Sequence, residues 1–342
     1  MFVKLKQCLR KNSKINFWVE LYKNRKDKMF QDYVTAFGGS DSVWLSHPGT
    51  LYPEHLVYCI TNHKGDMGFF GEVCRTLRRL AYAEIYHLTP VINWRQDCPY
   101  KENGIIHGTD NVFEYYFMPV SNINYKDIMR CKNLVYYANA QASALGGYTG
   151  GGYIEQEEMV LQFAKLYQKY FNLNQQTRSY IEENRNDKIG GKKTLGVHIR
   201  GTDFKVGFNS HPVYIPPKDY LVKVKELFEE YGCERVFLAT DSVEAIKVFQ
   251  DEFYDMLIFY EEIRRSDGKK GLHCLDAGRK NHHYLLGLEV LRDAYTLAAC
   301  DVLLAGMSNV SFGAQFIKMA EGKKYEKVAI MNYGINHNKV RA

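Results

Sequence analysis

The stretch TLGVHIRGTDFKVG (residues 194–207) decides how the second half of the chain is interpreted. Its first residues are apolar or β-prone, as in a buried strand, and the strand runs into His198, Arg200 and Asp203. Such polar groups are costly to bury without partners. They therefore either pair with each other or surround a charged ligand.

Downstream of this stretch, strand-like apolar runs alternate with segments in which apolar residues recur at helical spacing. We predict strands at 195–200, 235–240, 257–260, 302–305 and 328–331, and helices at 218–230, 243–253, 284–299 and 310–321. This alternation is typical of a parallel, doubly wound sheet.

The first half contains a similar unit. The run LVYCIT (56–61) predicts a strand, NHKGDMG (62–68) a turn, residues 69–88 a helix and TPVINW (89–94) a second strand, which together make a βαβ unit. We interpret SVWLSHPGTLYPEH (42–55) as a loop, residues 100–148 as irregular and 155–184 as helical. Polar NRNDKIGGKK (184–193) predicts a boundary, so we expect an α/β protein with two Rossmann-like domains, 1–190 and 191–342, facing each other across a cleft.

Bulk composition narrows the functional class. The chain has 342 residues, 46% hydrophobic and 25% charged, with a formal net charge of +6. This basic surplus is too mild for a nucleic-acid binder and suits a small anionic substrate such as a phosphate ester. Eight cysteines without a CxxC pair disfavour a zinc knuckle and predict buried, reduced thiols and a cytoplasmic location.

The first 28 residues are rich in Lys and Arg, with Glu20 and Asp27 as the only acids. These charges interrupt the segment too often for a signal peptide, and no apolar run approaches the ~20 residues that span a bilayer. We interpret the segment as a solvated basic helix or as a peripheral contact with a membrane surface.

Three polar clusters follow predicted strands of the second half, where ligands bind in open parallel sheets. They are the HxRxxD group of His198, Arg200 and Asp203, the triplet Thr240–Ser242, and GMSNVSF (306–312), which opens a helix. A guanidinium suits phosphate oxygens, and a helix N-terminus favours anions. We predict a nucleoside diphosphate held between Arg200 and the Ser308–Asn309 turn. The alternatives are an Arg200–Asp203 ion pair and Asp241 as a helix cap.

Three segments, GVHIRGTDFKVG, RVFLATDS and LRDAYTLAACDVLLAGMSNVSFGAQF, resemble in order and spacing the motifs of the α1,6-fucosyltransferase group. Its superfamily also includes α1,2-fucosyltransferases and protein O-fucosyltransferases. A weaker resemblance covers KGDMGFFGEVCRTLRRLAYA (64–83). The resemblance implies a GT-B fold, GDP-fucose as donor, inversion at the anomeric carbon, no cofactor and no metal, and the chain has no DxD triplet.

By position, the resemblance implies roles for particular residues. Arg200 would hold the β-phosphate beside His198, Ser308 and Asn309 would contact the diphosphate, Asp293 would accept hydrogen bonds from guanine, and Asp241 would lie near the nucleotide. Gly65 and Gly68 fall in the glycine turn on the donor side. Without the resemblance, Asp293 is interpreted as part of a solvated helix face.

The acceptor side departs from the group. Gly201 replaces a second arginine, Phe204 is inserted, and Asn209 stands at or near the position of an acid. An α1,6 linkage is therefore not implied, and a glycan acceptor in the synthesis of a bacterial-type surface polysaccharide or oligosaccharide fits better. We expect Asp203 as the base, Asp66 as a second candidate, and assistance from Lys205. The aromatic N-terminal half, including Trp94 and Tyr115 to Phe117, is expected to hold acceptor specificity.

Two other readings remain open: a GT-B transferase with another donor, such as GDP-mannose or a heptose nucleotide, and an inactive relative that still binds nucleotide. A P-loop kinase and a Rossmann dehydrogenase are disfavoured, because GxxxxGK[ST] and a strand followed by GxGxxG are both missing from the sequence.

Overall fold

The computed structural model describes residues 22, 26, 43–62, 67–94, 98–137, 157–201, 203–263, 265 and 278–337, without the side chains of 43–45, 136, 137 and 203. Contacts divide the chain into two compact units. One comprises Met1–Asn62, Arg78–Trp94 and Pro119–Ala144, and the other comprises His63–Leu77, Arg95–Met118 and Leu145–Ala342. The predicted α/β class is confirmed.

The first unit contains a four-stranded sheet of order β1-β4-β2-β3, with β1 at Val43–Ser46, β2 at Val57–Thr61, β3 at Thr89–Asn93 and β4 at Leu134–Tyr137. Strand β2 is parallel to β3 and β4, as the βαβ prediction requires, whereas β1 is antiparallel to β4. The loop interpretation of 42–55 is wrong for β1, and the irregular interpretation of 100–148 is wrong for β4. Both are four residues long and too short to show a period of two.

The second unit contains five parallel strands of order β7-β6-β5-β8-β9. They are β5 (Thr194–Ile199), β6 (Arg235–Thr240), β7 (Leu257–Ile258), β8 (Val302–Gly306) and β9 (Lys327–Met331), and all five were predicted. The continuous burial of β5 and β8 explains why the sequence predicts them well, because parallel strands covered on both faces are uniformly apolar.

Seven α-helices lie wholly within the described part of the chain: α1 (Phe69–Ile85), α2 (Glu157–Tyr170), α3 (Gln175–Ile189), α4 (Pro217–Glu230), α5 (Val243–Phe253), α6 (His282–Ala299) and α7 (Asn309–Ala320). The single helix expected over 155–184 is instead α2 and α3. Asn174 ends the continuity, because its side chain accepts a hydrogen bond from the Thr177 N–H and caps α3.

Helices cover both faces of the five-stranded sheet. Leu195 and Val197 pack with residues of α4 and α5 on one face, and Phe237 packs with residues of α6 and α7 on the other. Side chains alternate along a strand, so His198 lies on the α6 and α7 face. Gly196 lies on that face too, where an added Cβ would be 3.0 Å from the Cys300 sulfur. The end of α6 therefore approaches β5 closely.

Helices α2 and α3 pack on α7 and α6 respectively, which groups residues 157–189 with the five-stranded sheet. The expected domain limits, 1–190 and 191–342, and their arrangement across a cleft stay predictions. The six cysteines in the described part of the chain are all buried, as predicted. Within the described segments, no helix has the length and apolar character to cross a bilayer.

Candidate functional site

The end of β5 is held by a carboxylate from the end of β6. The Arg200 Nη1 lies 3.0 Å from Oδ2 of Asp241, and the Gly201 N–H donates to Oδ1 of the same carboxylate at 2.7 Å. Asp241 is 8% exposed, whereas the Arg200 side chain keeps 26% of its surface exposed. The buried carboxylate thus fixes the direction of a cation that still faces solvent.

Asp241 is therefore a positioning group for Arg200 in this structure, and its contact with a nucleotide stays a prediction. The alternative that Asp241 caps a helix is wrong, because the adjacent Ser242 is the N-cap of α5 and its hydroxyl accepts from the Ala245 N–H at 3.3 Å.

Gly201 has a steric reason to be glycine. A Cβ added there would lie 2.7 Å from the Ser242 Cβ and 3.1 Å from Oδ1 of Asp241. Carbon atoms in contact normally stay about 3.5–4 Å apart. The strand end therefore has no room for a second arginine, which explains this departure from the fucosyltransferase pattern.

His198 lies just before this clamp and is 5% exposed. Burial, reinforced by the nearby Arg200 charge and opposed by Asp241, lowers the pKa of His198 to about 4. Its Nδ1 has no hydrogen-bond partner among the described residues. At neutral pH the imidazole is therefore uncharged, so it can exchange a hydrogen bond with a ligand but cannot supply a positive charge.

Lys205 sits in a short 3-10 helix, Asp203–Val206, after the strand. Its ammonium lies 3.1 Å from the Glu244 carboxylate and 5.5 Å from the centre of the Tyr214 ring. Its assistance to phosphate or acceptor stays a prediction, and Glu244 competes for the charge. The side chain of Asp203 lies outside the described residues, as do Gly65 and Asp66.

The third cluster opens α7, as predicted, at the end of β8, the neighbour of β5 in the sheet. The Ser308 hydroxyl caps the helix by accepting from the Val310 N–H at 3.0 Å. The Ser311 hydroxyl lies 2.8 Å from the carbonyl oxygens of both Gly306 and Ser308 and shares its one proton between them, which braces the turn. The first turn of α7 is thus a rigid helix N-terminus one strand away from Arg200.

The first turn of α1 lies near this helix start. A Cβ added to Gly71 in the first turn of α1 would be 3.5 Å from the Asn309 amide nitrogen, so α1 and α7 begin side by side. The Gly68 carbonyl accepts the Glu72 N–H at 3.1 Å. Gly68 therefore belongs to the start of α1, as the glycine-turn interpretation expects, and its contact with a donor stays a prediction.

Tyr100 is a neighbour of Arg200 that the sequence did not single out. Burial raises its pKa, the Arg200 charge lowers it, and the Phe69 backbone hydrogen-bonds to it at the start of α1. A tyrosine in an irregular aromatic segment gives no sequence signal for this placement. The aromatic residues expected to hold acceptor specificity, Trp94 and Tyr115–Phe117, are at most 1% exposed. These four side chains belong to the core, and the expectation that the aromatic N-terminal half holds acceptor specificity stays a prediction.

Asp293 of α6 is an acceptor without a donor. Its Oδ1 is buried and has no hydrogen-bond partner among the described residues. Burial raises the pKa of this carboxyl to about 7, against the opposing charges of Arg292 and Arg265. Asp293 as a whole is half-buried, but its buried Oδ1 does not fit the solvated-face alternative. A buried acceptor that no protein donor satisfies requires an explanation, and a ligand donor is one.

The preceding residue, Arg292, is fully buried, with 0% exposure. No structural role was predicted for it from the sequence. Its guanidinium carbon lies 3.5 Å from the centre of the Tyr260 ring, and Nη1 donates to the Tyr180 hydroxyl at 2.7 Å and to Glu262. Tyr260 and Glu262 follow β7, so Arg292 ties α6 to that strand end. A charged residue within an apolar helical pattern was the available signal.

The structure thus brings His198, Arg200, Gly201 and Asp241 together, puts Ser308 one strand away, and puts Asp293 beside the segment that follows β7. Strands are about 4.8 Å apart, so β7 lies two spacings, about 10 Å, from β5. Within the described residues there is no group of three or more His, Cys, Asp or Glu side chains suited to a metal ion. Metal independence stays a prediction.

Comparison with known proteins found no matching family model and no matching curated protein. Among solved structures, the chain is similar to NodZ α-1,6-fucosyltransferase soaked with GDP-fucose, at 15% identity over 77% of this chain and 92% of that chain, with a TM-score of 0.46. It is also similar to fucosyltransferase NodZ from Bradyrhizobium, at 15% identity over 76% and 92%, with a TM-score of 0.44.

A third similar structure is POFUT1 in complex with GDP-fucose, at 11% identity over 83% of this chain and 99% of that chain, with a TM-score of 0.49. Identities this low do not carry an activity from one protein to another. The solved structures to which the chain is similar include members of the fucosyltransferase group that its three motifs resemble.

Proposed function

We propose that the protein is an inverting, metal-independent glycosyltransferase that moves fucose from GDP-fucose to a hydroxyl of a glycan acceptor. The observation that carries the proposal is the Arg200–Asp241 clamp at the carboxyl end of the central strand β5. It presents a partly exposed guanidinium in the position where parallel sheets bind ligands, one strand away from a helix N-terminus.

Arg200 and the first turn of α7 suit the diphosphate of the donor. A guanidinium presents planar N–H donors to phosphate oxygens, and the helix N-terminus adds partial positive charge. His198 is neutral and buried beside Arg200, so it can serve as a hydrogen-bonding wall of the phosphate pocket. The mild basic surplus of the chain fits an anionic donor.

Asp293 suits the base of the donor. Guanine presents two neighbouring N–H donor groups on one edge, and a buried carboxylate with an unused oxygen accepts from such donors. The span of about 10 Å between the ends of β5 and β7 matches the order of the distance between a base and its phosphates. These features favour a guanosine diphosphate over a nucleotide whose base lacks adjacent donors.

In the reaction, the acceptor oxygen forms a bond to the anomeric carbon as the bond to the β-phosphate oxygen breaks, which inverts the configuration. Negative charge grows on the leaving phosphate, where Arg200 and α7 would stabilise it. Fixed contacts of this kind are worth about 100- to 1000-fold in rate. The acceptor hydroxyl loses a proton, for which Asp203 is the first candidate base and Asp66 the second. Lys205 would assist at the phosphate once released from Glu244.

The acceptor is proposed as a glycan of a bacterial-type surface polysaccharide or oligosaccharide. The location is proposed as cytoplasmic, with peripheral membrane contact through the basic N-terminal segment. That segment lies outside the described residues apart from Tyr22 and Lys26.

The test is donor turnover in EDTA with GDP-fucose, GDP-mannose and UDP-glucose, with nucleotide release followed by chromatography. Arg200→Ala should abolish turnover. Arg235→Ala is the matched control, because Arg235 opens the neighbouring strand β6 at the opposite edge of the sheet and donates to the Lys188 carbonyl. If only GDP-mannose were turned over, GDP-mannose and not GDP-fucose would be the donor. If GDP bound but no donor were turned over, the protein would be better described as an inactive relative. Absence of GDP binding would refute the nucleotide site.

A further inference from the structure

A cavity in the unit that holds the five-stranded sheet has no part in the proposed transfer. It has a volume of about 210 Å³ and is lined by residues of α2, α3, α6 and the C-terminal part of α7. Helix α7 has 12 residues, so its last turn lies roughly 18 Å from the Ser308 turn at its start. The cavity and the candidate donor site are therefore separate.

Two buried tyrosines contribute hydroxyl groups to the cavity lining. The oxygens of Tyr167 and Tyr295 are 3.1 Å apart, and the two residues are 3% and 8% exposed. Each hydroxyl carries one proton, and the bond between them uses only one. The second proton has no protein acceptor among the described residues. A buried donor of this kind needs an acceptor from a water or a ligand.

The rim of the cavity carries balanced charges. Arg178 and Glu182 are exposed on successive turns of α3, and the Arg185 guanidinium lies 3.0 Å from the Glu321 carboxylate. Two cations and two anions cancel, so neither an anion nor a cation is favoured as a ligand. The rim instead offers planar donors and acceptors side by side.

The remaining lining combines the amides of Gln168 and Asn172 with an apolar part that includes the Phe171 ring and the side chain of Ile317. Phe171 stacks on Tyr167 with ring centres 5.0 Å apart. A ligand for this cavity therefore needs an apolar face, a hydrogen-bond acceptor at the buried end and several hydroxyl or amide groups at the open end, with no net charge.

We propose that this cavity binds a neutral pyranose, one monosaccharide unit of a glycan. A pyranose hydroxyl would accept the spare tyrosine proton, its C–H groups would contact Phe171 and Ile317, and neighbouring hydroxyls would pair with Arg178 and Glu182. Pockets that combine an apolar wall with a few convergent polar groups are typical ligand sites. Because the residues differ from those of the donor site, this binding does not depend on fucosyl transfer.

The test is saturation-transfer NMR on the full chain with the methyl glycosides of glucose, galactose, mannose, fucose and N-acetylglucosamine, in saturating GDP. At least one glycoside should give a signal. Its Kd should rise roughly tenfold in Tyr295→Phe and in Arg178→Gln, the loss expected for one hydrogen bond to a ligand. Tyr254→Phe and Lys223→Gln, at exposed sites on other helices, should leave the Kd unchanged.

Arg200→Ala separates this proposal from the proposed function, because it should weaken GDP binding and leave the glycoside signal intact. Absence of a signal from all five glycosides at about ten millimolar would overturn the proposal. So would a Kd that neither Tyr295→Phe nor Arg178→Gln changes. The proposal would also be overturned if inorganic phosphate bound to the wild-type protein and this binding were lost in Arg178→Gln. The cavity would then prefer anionic ligands.

Discussion

Gly201→Ala tests whether close packing at the end of β5 holds the Arg200 clamp. The new Cβ would lie 2.7 Å from the Ser242 Cβ, about 1 Å inside normal contact. Both carbons are attached directly to the backbone, so one chain segment must move. Overpacking of this kind costs about 1–3 kcal/mol, and the loss of glycine freedom in the unfolded chain offsets about 0.4–1 kcal/mol.

We therefore expect Gly201→Ala to lower the free energy of unfolding by about 1–2 kcal/mol. It should also weaken GDP binding, because the displaced segment carries Arg200. Urea denaturation and calorimetric titration with GDP measure the two effects. Gly104→Ala is the matched control: an added Cβ at Gly104 meets no atom within 4 Å, and the residue is exposed.

A double-mutant cycle identifies the contact responsible. Ser242→Gly removes the Cβ that Gly201→Ala would strike, and replacing a serine cap by glycine costs only a few tenths of a kcal/mol. The double variant should regain about 1 kcal/mol relative to the sum of the single changes. A Gly201→Ala protein as stable as wild type, or a double variant with no recovery, would refute the steric reasoning.

Three further outcomes are expected. Asp241→Asn keeps an oxygen for the Gly201 N–H but loses the charge that pairs with the quarter-exposed Arg200, so urea unfolding should show a loss of about 1 kcal/mol and titration a weaker GDP affinity. The pKa of His198 in the folded protein, about 4, is below the unfolded value of about 6.5, so stability is lost as pH falls between these values. In His198→Gln, the urea concentration at the unfolding midpoint should therefore depend less on pH between about 7 and 4.5. The pKa of Asp293 in the folded protein, about 7, is above its value in the unfolded chain, so stability is lost as pH rises from about 4 to 7. Asp293→Asn should therefore be more stable than wild type at pH 8 by about 2 kcal/mol. The same variant should bind GDP more weakly.

The sequence predicted the strands of the second sheet because their residues are mainly apolar, and β5 and β8 are buried along their whole length. It predicted the position of the polar clusters for the same reason: a polar residue that ends such a run marks the edge of the sheet. Strands β1 and β4 were not predicted, because a four-residue strand is defined by its pairing with a partner strand rather than by its own sequence pattern. The break between α2 and α3 at Asn174 was not predicted, because it depends on a single side-chain cap.

Side-chain partners in the site could not be predicted, because they depend on residues distant in sequence. Asp241 clamps Arg200 from 41 positions away, and Tyr260 contacts Arg292 from 32 positions away. The local periodicity of apolar residues does not indicate either contact. The steric requirement at Gly201 likewise appears only once the end of β6 is placed beside it.

The buried polar atoms of the site are unfavourable for folding in the absence of a ligand. His198 is held neutral with an unpartnered Nδ1, and Asp293 keeps an unpartnered Oδ1 whose ionisation burial opposes. Their effects on stability run in opposite directions with pH, so neither is explained as a device for stability at one pH. A chain under selection for stability alone would replace such groups with apolar ones of similar size. One of these groups lies beside the clamped Arg200 and the other beside the segment that follows β7. Their presence in one unit is instead the pattern expected where a ligand supplies the missing hydrogen bonds.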